Sequence, residues 1–239
     1  MVNAVSRIGL LLPSSNTTME PDFYRMAPEG VTVHSARMHL EDVTPESLER
    51  MAGEAEQAAG LLSTADLDVM VFGCTSGSLI RGVEWEKSLV RKTEKASNTP
   101  TVTTAGAVVE ALRALDAQKI RVFTPYTDAV NRLENTFLEA HGFQVDSIRG
   151  LGLVDNLKIG RVTPEEITRL VDADRGADCL FISCTNLPVV HLIQTLEEKH
   201  RKPVVTSNQA SMWAALRRLG LPGLEGYGAL LSRCMNTRR

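Results

Sequence analysis

Two rhythms of apolar positions alternate along this chain. Short β-branched or apolar runs lie near 7–12, 31–37, 69–73 and 101–103, and again near 119–124, 144–150, 179–183 and 204–206. Runs that are apolar on both faces predict buried parallel strands. Between them, apolar residues recur at helical spacing, predicting helices over about 44–63, 83–97, 105–115, 127–140, 163–173, 189–199 and 209–219. Thr44-Pro45-Glu46 and Thr163-Pro164-Glu165 each offer an N-cap hydroxyl, a proline at the first helical position and an acid in the first turn. Strand alternating with helix gives an α/β fold, its parallel sheets covered on both faces and its ligands bound beyond the C-terminal strand ends.

The pattern occurs twice. Arg7-Ile8-Gly9 through Pro13 matches Lys119-Ile120-Arg121 through Pro125, and Val33-His34-Ser35-Ala36-Arg37 matches Val145-Asp146-Ser147-Ile148-Arg149 at the same offset. Val43-Thr44-Pro45-Glu46 then matches Val162-Thr163-Pro164-Glu165, Cys74-Thr75 matches Cys184-Thr185, and Pro100-x-Val102-Thr103 matches Pro203-x-Val205-Thr206. Collinear matches of this kind predict two similar lobes, each with a sheet of about four strands, related by a pseudo-two-fold axis with the site in the cleft between them. The helix over 209–219 is expected to cross back onto the first lobe. That makes the first lobe discontinuous, 1–106 plus 207–239, and leaves 107–206 as the second. Gly220-Leu221-Pro222-Gly223 reads as a loop, and the tail from Cys234 to Arg239 as frayed.

Composition narrows the function classes. The 239 residues are 43% hydrophobic and 23% charged with a net charge of −3. There is no basic block for nucleic acid and no apolar run near the ~18 residues that a membrane span needs. No charged-then-apolar signal segment opens the chain, so a cytoplasmic, reducing setting is expected, with Cys74, Cys179, Cys184 and Cys234 as thiols. None sits in a Cys-x-x-Cys pair, and the histidines at 34, 39, 141, 191 and 200 have no metal-ligand spacing, so no metal is expected. A Gly-x-Gly-x-x-Gly or phosphate-loop lysine motif is also missing, and no cofactor is expected.

The candidate chemistry sits at the strand ends. A lone cysteine there is ordinarily a small core residue; recurrence in both halves makes Cys74 and Cys184 the catalytic candidates. Gly73 lets backbone approach closely, and the amides and hydroxyls of Thr75-Ser76-Gly77-Ser78 are expected to lower the Cys74 pKa and steady an oxyanion. Cys179, an odd number of positions before Cys184, points to the other sheet face and reads as core; Cys234 reads as incidental. Pro13-Ser14-Ser15-Asn16-Thr17-Thr18-Met19-Glu20 is a turn rich in small donors before a helix, suited to a carboxylate, although capping alone explains such residues too. Its counterpart carries Tyr126, a phenol donor, and Asn156 follows the strand at 144–150. His191, seven residues past Cys184, is a lesser candidate.

Taken together, Pro13 to Glu20, Gly73-Cys74-Thr75, Pro125-Tyr126, Asp155-Asn156 and Ser183-Cys184 resemble the aspartate/glutamate racemase superfamily, and within it the maleate cis-trans isomerases, from about Arg7 to Leu231. The resemblance implies cofactor-free isomerisation of maleate to fumarate with Cys74 as nucleophile and Cys184 as acid or base. It also implies that Asn16, Tyr126 and Asn156 hold substrate carboxylates, with Ser15, Thr75, Ser76 and Thr185 completing the binding set, and that the protein is a homodimer acting on a small dicarboxylate. Arylmalonate decarboxylases are relatives with glycine in place of the first cysteine, so Cys74 argues against that activity. Two-cysteine racemases or epimerases, and ectoine-utilisation enzymes, to which Gly226-Tyr227-Gly228 leans, remain alternatives. A two-lobed binding protein closing on a dicarboxylate is the non-enzymatic one.

Overall fold

The computed structural model describes residues 5–171 and 176–233. In chain order the first half runs β1 (Ser6–Pro13), α1 (Met19–Met26), β2 (Val31–Met38), α2 (Pro45–Gly53), α3 (Ala55–Leu62), β3 (Val69–Phe72), α4 (Thr75–Leu79), α5 (Val83–Ser97), β4 (Thr101–Thr103) and α6 (Thr104–Ala114). The second half runs β5 (Lys119–Thr124), α7 (Asp128–Ala140), β6 (Gln144–Gly150), α8 (Asn156–Ile159), α9 (Pro164–Leu170), β7 (Cys179–Ile182), α10 (Ile193–His200), β8 (Val204–Thr206), α11 (Ser207–Arg218) and α12 (Gly228–Arg233).

All eight strands fall where the apolar runs place them. They form two parallel four-stranded sheets of identical plan, β2-β1-β3-β4 and β6-β5-β7-β8. In each sheet the chain winds outward in both directions from a central pair, β1 with β3 and β5 with β7. That arrangement leaves a crevice at the C-terminal ends of the pair. One hydrogen bond closes both pairs alike: Gly73 N donates to Leu11 O at 2.6 Å, and Ser183 N to Phe123 O at 2.8 Å. Strands β3 and β7 are buried along their whole length, which is why they read as continuous apolar runs.

The helices depart from the periodicity at their ends. The single helix expected over 44–63 is two, because the chain breaks at Gly53-Glu54 and the Glu54 carboxylate turns away to accept from His39 N at 2.8 Å. The helix over 189–199 begins with a 3₁₀ turn at Val190–Leu192 before α10. The one over 163–173 ends at Leu170, and residues 172–173 lie outside the described residues. Helices α4, α8 and α12 are missing from the periodicity because four to six residues cannot display it. The loop at 220–223 is as expected, whereas the tail from Cys234 lies outside the described residues.

Helices α6 and α11, which follow the last strand of each half, pack on each other. Ser211 Oγ donates to Thr104 Oγ1 at 3.0 Å in that contact, and α11 also touches α1 and β3. The loops after β2 and β6 pair as well: Val43 N donates to Val154 O at 2.7 Å and Asn156 N to Glu41 O at 3.0 Å. No described helix is long and apolar enough to cross a membrane.

Candidate active site

Four turns at the C-terminal ends of β1, β3, β5 and β7 meet. The β1 turn is folded by Asn16, whose Oδ1 accepts from Thr18 N at 3.0 Å and Met19 N at 2.9 Å and so caps α1. Its Nδ2 then donates to Thr185 Oγ1 of the β7 turn at 3.0 Å. Arg37, at the end of β2, donates to the carbonyls of Ser14 at 3.2 Å and Asn16 at 2.8 Å, clamping the same turn from behind.

Cys74 ends the extended chain after β3 and caps α4: Gly77 N donates to Cys74 Sγ at 3.4 Å, and Ser76 Oγ lies 3.8 Å from the sulfur. A Cβ at Gly77 would stand 3.2 Å from Cys74 Sγ and 2.6 Å from the terminal methyl of Met51, so a larger residue there would press on the sulfur. Cys184 occupies the matching turn after β7, with Asn186 N donating to its Sγ at 3.4 Å. Its φ of 99° is a conformation that an L side chain adopts at a cost of roughly 1–3 kcal/mol. Tyr126 hydrogen-bonds to the Cys184 sulfur, and each of these groups lies close enough to Cys74 to feel its charge.

The two cysteine turns interlock. Thr185 Oγ1 donates to Gly73 O at 3.2 Å, directly before Cys74. Thr75 Oγ1 donates to Ser207 Oγ at 2.8 Å, and Ser207 Oγ accepts from Cys184 N at 3.0 Å. Asn156 Nδ2 donates to Ser15 Oγ at 2.8 Å, and Ser15 in turn donates to Leu40 O. Cys74, Cys184, Asn16, Ser15, Thr75, Ser76, Tyr126, Asn156 and Thr185 thus belong to one network. His191 does not join it; it stands exposed on the 3₁₀ turn, where its charge is felt by Asp22. Cys179 is buried core, and Cys234 lies outside the described residues.

The expected lowering of the Cys74 pKa is overturned. Cys74 and Cys184 are only 4% and 6% exposed, and burial pushes their thiols up to about 11 and about 12. The donors at the start of α4 do act in the predicted direction on Cys74, but loss of water around the sulfur outweighs them. Tyr126 is raised well above the ordinary phenol range by burial and by the charges of Cys184, Glu134 and Cys74. Burial thus favours the thiol form of both sulfurs.

Other residues of the network had a weaker signal. Asn186 accepts from Thr17 N at 2.9 Å through Oδ1, and its Nδ2 donates to Asn156 O at 2.6 Å. Asn208 Nδ2 donates to Asp22 Oδ2 at 2.8 Å and to Thr185 O at 3.0 Å. The polar run Ser207-Asn208-Gln209 after an apolar strand is the clue that would have found Ser207 and Asn208. Among the described residues no group of three or more His, Cys, Asp or Glu could hold a metal ion.

A family model described as arylmalonate decarboxylase matches residues 8–231. A maleate isomerase of Pseudomonas putida is 33% identical over 242 residues, covering 95% of this chain and 97% of that protein. Among solved structures, a cysteine-to-alanine variant of a maleate isomerase from Pseudomonas putida with maleate superposes with a TM-score of 0.91 at 32% identity, covering 95% of this chain and 98% of the other. A cysteine-to-serine variant of the Nocardia farcinica maleate cis-trans isomerase, carrying a covalently bound succinylcysteine intermediate, superposes with a TM-score of 0.91 at 30% identity, covering 96% and 99%.

Proposed function

We propose that this chain, which belongs to the arylmalonate decarboxylase family, is a maleate cis-trans isomerase that works without a cofactor through Cys74 and Cys184. The observation that carries the reading is the pair of thiols held in one buried hydrogen-bond network. Cys74 receives the Gly77 amide and the Ser76 hydroxyl, and Cys184 the Asn186 amide and the Tyr126 hydroxyl, so each sulfur can carry charge or hand on a proton. Such a pair suits one nucleophile and one proton carrier. The succinylcysteine of the Nocardia farcinica relative is the adduct this chemistry forms.

The steps balance without an external reagent. Cys74 first loses its proton to solvent; its thiolate then adds through sulfur to one alkene carbon, and the π pair moves toward the neighbouring carboxylate, giving an enediolate-like dianion. Asn16, Tyr126 and Asn156, with Ser15, Thr75, Ser76 and Thr185, supply the donors that hold the two carboxylates and that charge. Cys184 gives its proton to the second carbon, leaving a thioether with a single C–C bond that rotates. Cys184 then takes a proton back, the C–S bond breaks, the double bond re-forms as trans, and Cys74 leaves as thiolate.

The substrate class is a small dicarboxylate. The protein is assigned to the cytoplasm as a homodimer, with residues 1–106 plus 207–239 as one lobe and 107–206 as the other; packing of α11 on α1 and β3 supports its place on the first lobe, although the 106/107 boundary falls inside α6. A proton NMR time course of maleate with the reduced protein and no added cofactor tests the activity. Growth of the fumarate signal is expected. An unchanged spectrum, with solvent deuterium instead entering the α-carbon of an amino acid, would replace this reading by a racemase.

A further inference from the structure

Glu134 is a buried acid that the reaction above does not use. It lies on the inner side of α7 and is 1% exposed. Its Oε1 accepts from Ser183 Oγ at 2.6 Å, and its Oε2 has no hydrogen-bond partner. Ser183 is the residue before Cys184, so this bond anchors the peptide that holds Cys184 at its φ of 99°. Tyr126, which hydrogen-bonds to the Cys184 sulfur, lies close enough to feel the charge of Glu134.

The internal repeat adds an independent observation. The offset that carries Arg7 onto Lys119 carries Asp22 of α1 onto Glu134 of α7. Asp22 is likewise buried, but Gly73, the counterpart of Ser183, has no hydroxyl to offer, and Asp22 binds Asn208 and Arg25 instead. Each half thus keeps a buried acid at this position, and of the two only Glu134 bonds directly to the residue before a cysteine.

Building on the isomerase reading, we propose that Glu134 is a positioning residue for Cys184, acting through Ser183 and Tyr126. Burial pushes its carboxyl up to about 7, so it is neutral in acid and gains charge as the pH passes neutrality. The titratable group of the site that feels its charge is Tyr126. Of the elements packed on α7, α4 carries none, and β6 carries Arg149 and Asp146, the latter paired with Lys119 and Arg121. A neutral Glu134 fixes the turn without adding negative charge to a site that must accept a dianion. Once ionised, it opposes both the substrate and any anion at Tyr126.

The test compares kcat/KM for maleate across pH in wild type, Glu134→Gln and Glu134→Ala. The amide of Gln keeps an acceptor for Ser183 and cannot ionise. Glu134→Gln should lose about twofold to threefold at low pH, and its kcat/KM relative to wild type should then climb about tenfold as the pH passes 7, a ratio from which the shared thiol ionisation cancels. Glu134→Ala should lose kcat by more than about tenfold at every pH, because Ser183 is released. A Gln-to-wild-type ratio that stays flat with pH would overturn the proposal. A second readout needs no turnover: the infrared difference spectrum of wild type minus Glu134→Gln should show a carboxylic-acid C=O band at about pH 6 that fades by about pH 8. Absence of that band at low pH also overturns the proposal. A wild type that never forms fumarate sinks the isomerase reading, while the infrared measurement still decides the state of Glu134.

Discussion

At the scale of single residues, the two cysteines are distinguished by their neighbours. Both follow a β-strand and both accept from backbone amides, yet Cys74 has ordinary extended geometry whereas Cys184 sits at positive φ and also receives the Tyr126 hydroxyl. If Cys74 is the nucleophile, Cys74→Ser should lower kcat by more than about a thousandfold, since a serine hydroxyl has no comparable anion near neutral pH. Cys184→Ser should keep addition, with water delivering the proton to the second carbon, but lose the thiolate that takes it back, so intact-protein mass spectrometry after incubation with maleate should find one substrate mass added, and peptide mapping should place it on Cys74. An adduct on no residue, with full turnover in Cys74→Ser, would remove the covalent route. The sequence located both cysteines through the repeat. It misjudged their acidity, because desolvation is set by what folds over a residue and the motif displays only the donors beside it.

At the scale of elements, the strands were legible because each is a short apolar stretch buried on both faces, a signal that survives in a single sequence. Helices were legible where they are long, as in α5 over Val83–Ser97, and lost where they are a turn or two, as in α4 and α8, which hold the starts of the binding turns. Two of the helix caps separate stability from function. Thr163 and Thr206 each close a full capping box, with Glu166 and Gln209 as partners. Thr163→Ala and Thr206→Ala should each cost about 1 kcal/mol, read as a lowered urea midpoint. Only Thr206→Ala should also reduce kcat, because Ser207 and Asn208 stand in the first turn of α11 and bond to Cys184 N and Thr185 O. Equal loss of activity in the two variants would mean that α11 does not position the site.

At the scale of the whole molecule, the repeat makes two lobes of one plan, and the site residues are also what join them. Thr17 with Asn186, Thr185 with Gly73, Ser207 with Cys184, and Asn208 with Thr185 all bond across the two lobes of that plan. Burial leaves acids whose pKa values are raised, Glu134 to about 7 and Asp22 upward with it, both through desolvation. A carboxyl with a raised folded-state pKa binds its proton more tightly in the native state, so its contribution to stability is fully present below the unfolded pKa and is lost as pH rises toward the folded one. For Glu134 that window runs from its ordinary 4.5 to about 7, a loss on the order of 3 kcal/mol. Asp22 adds loss of the same sign, while exposed Glu84, Glu166 and Asp178, all held below their usual range, work in the opposite sense. The Glu134 share is isolated by substitution. In urea melts, Glu134→Gln should be no more stable than wild type near the bottom of the window and more stable by a few kcal/mol above its top, where only wild type carries the buried charge. A constant difference between the two proteins across the window would mean that Glu134 is already ionised in the native state and that its unpartnered oxygen is solvated, since nothing else would leave the proton balance of folding unchanged.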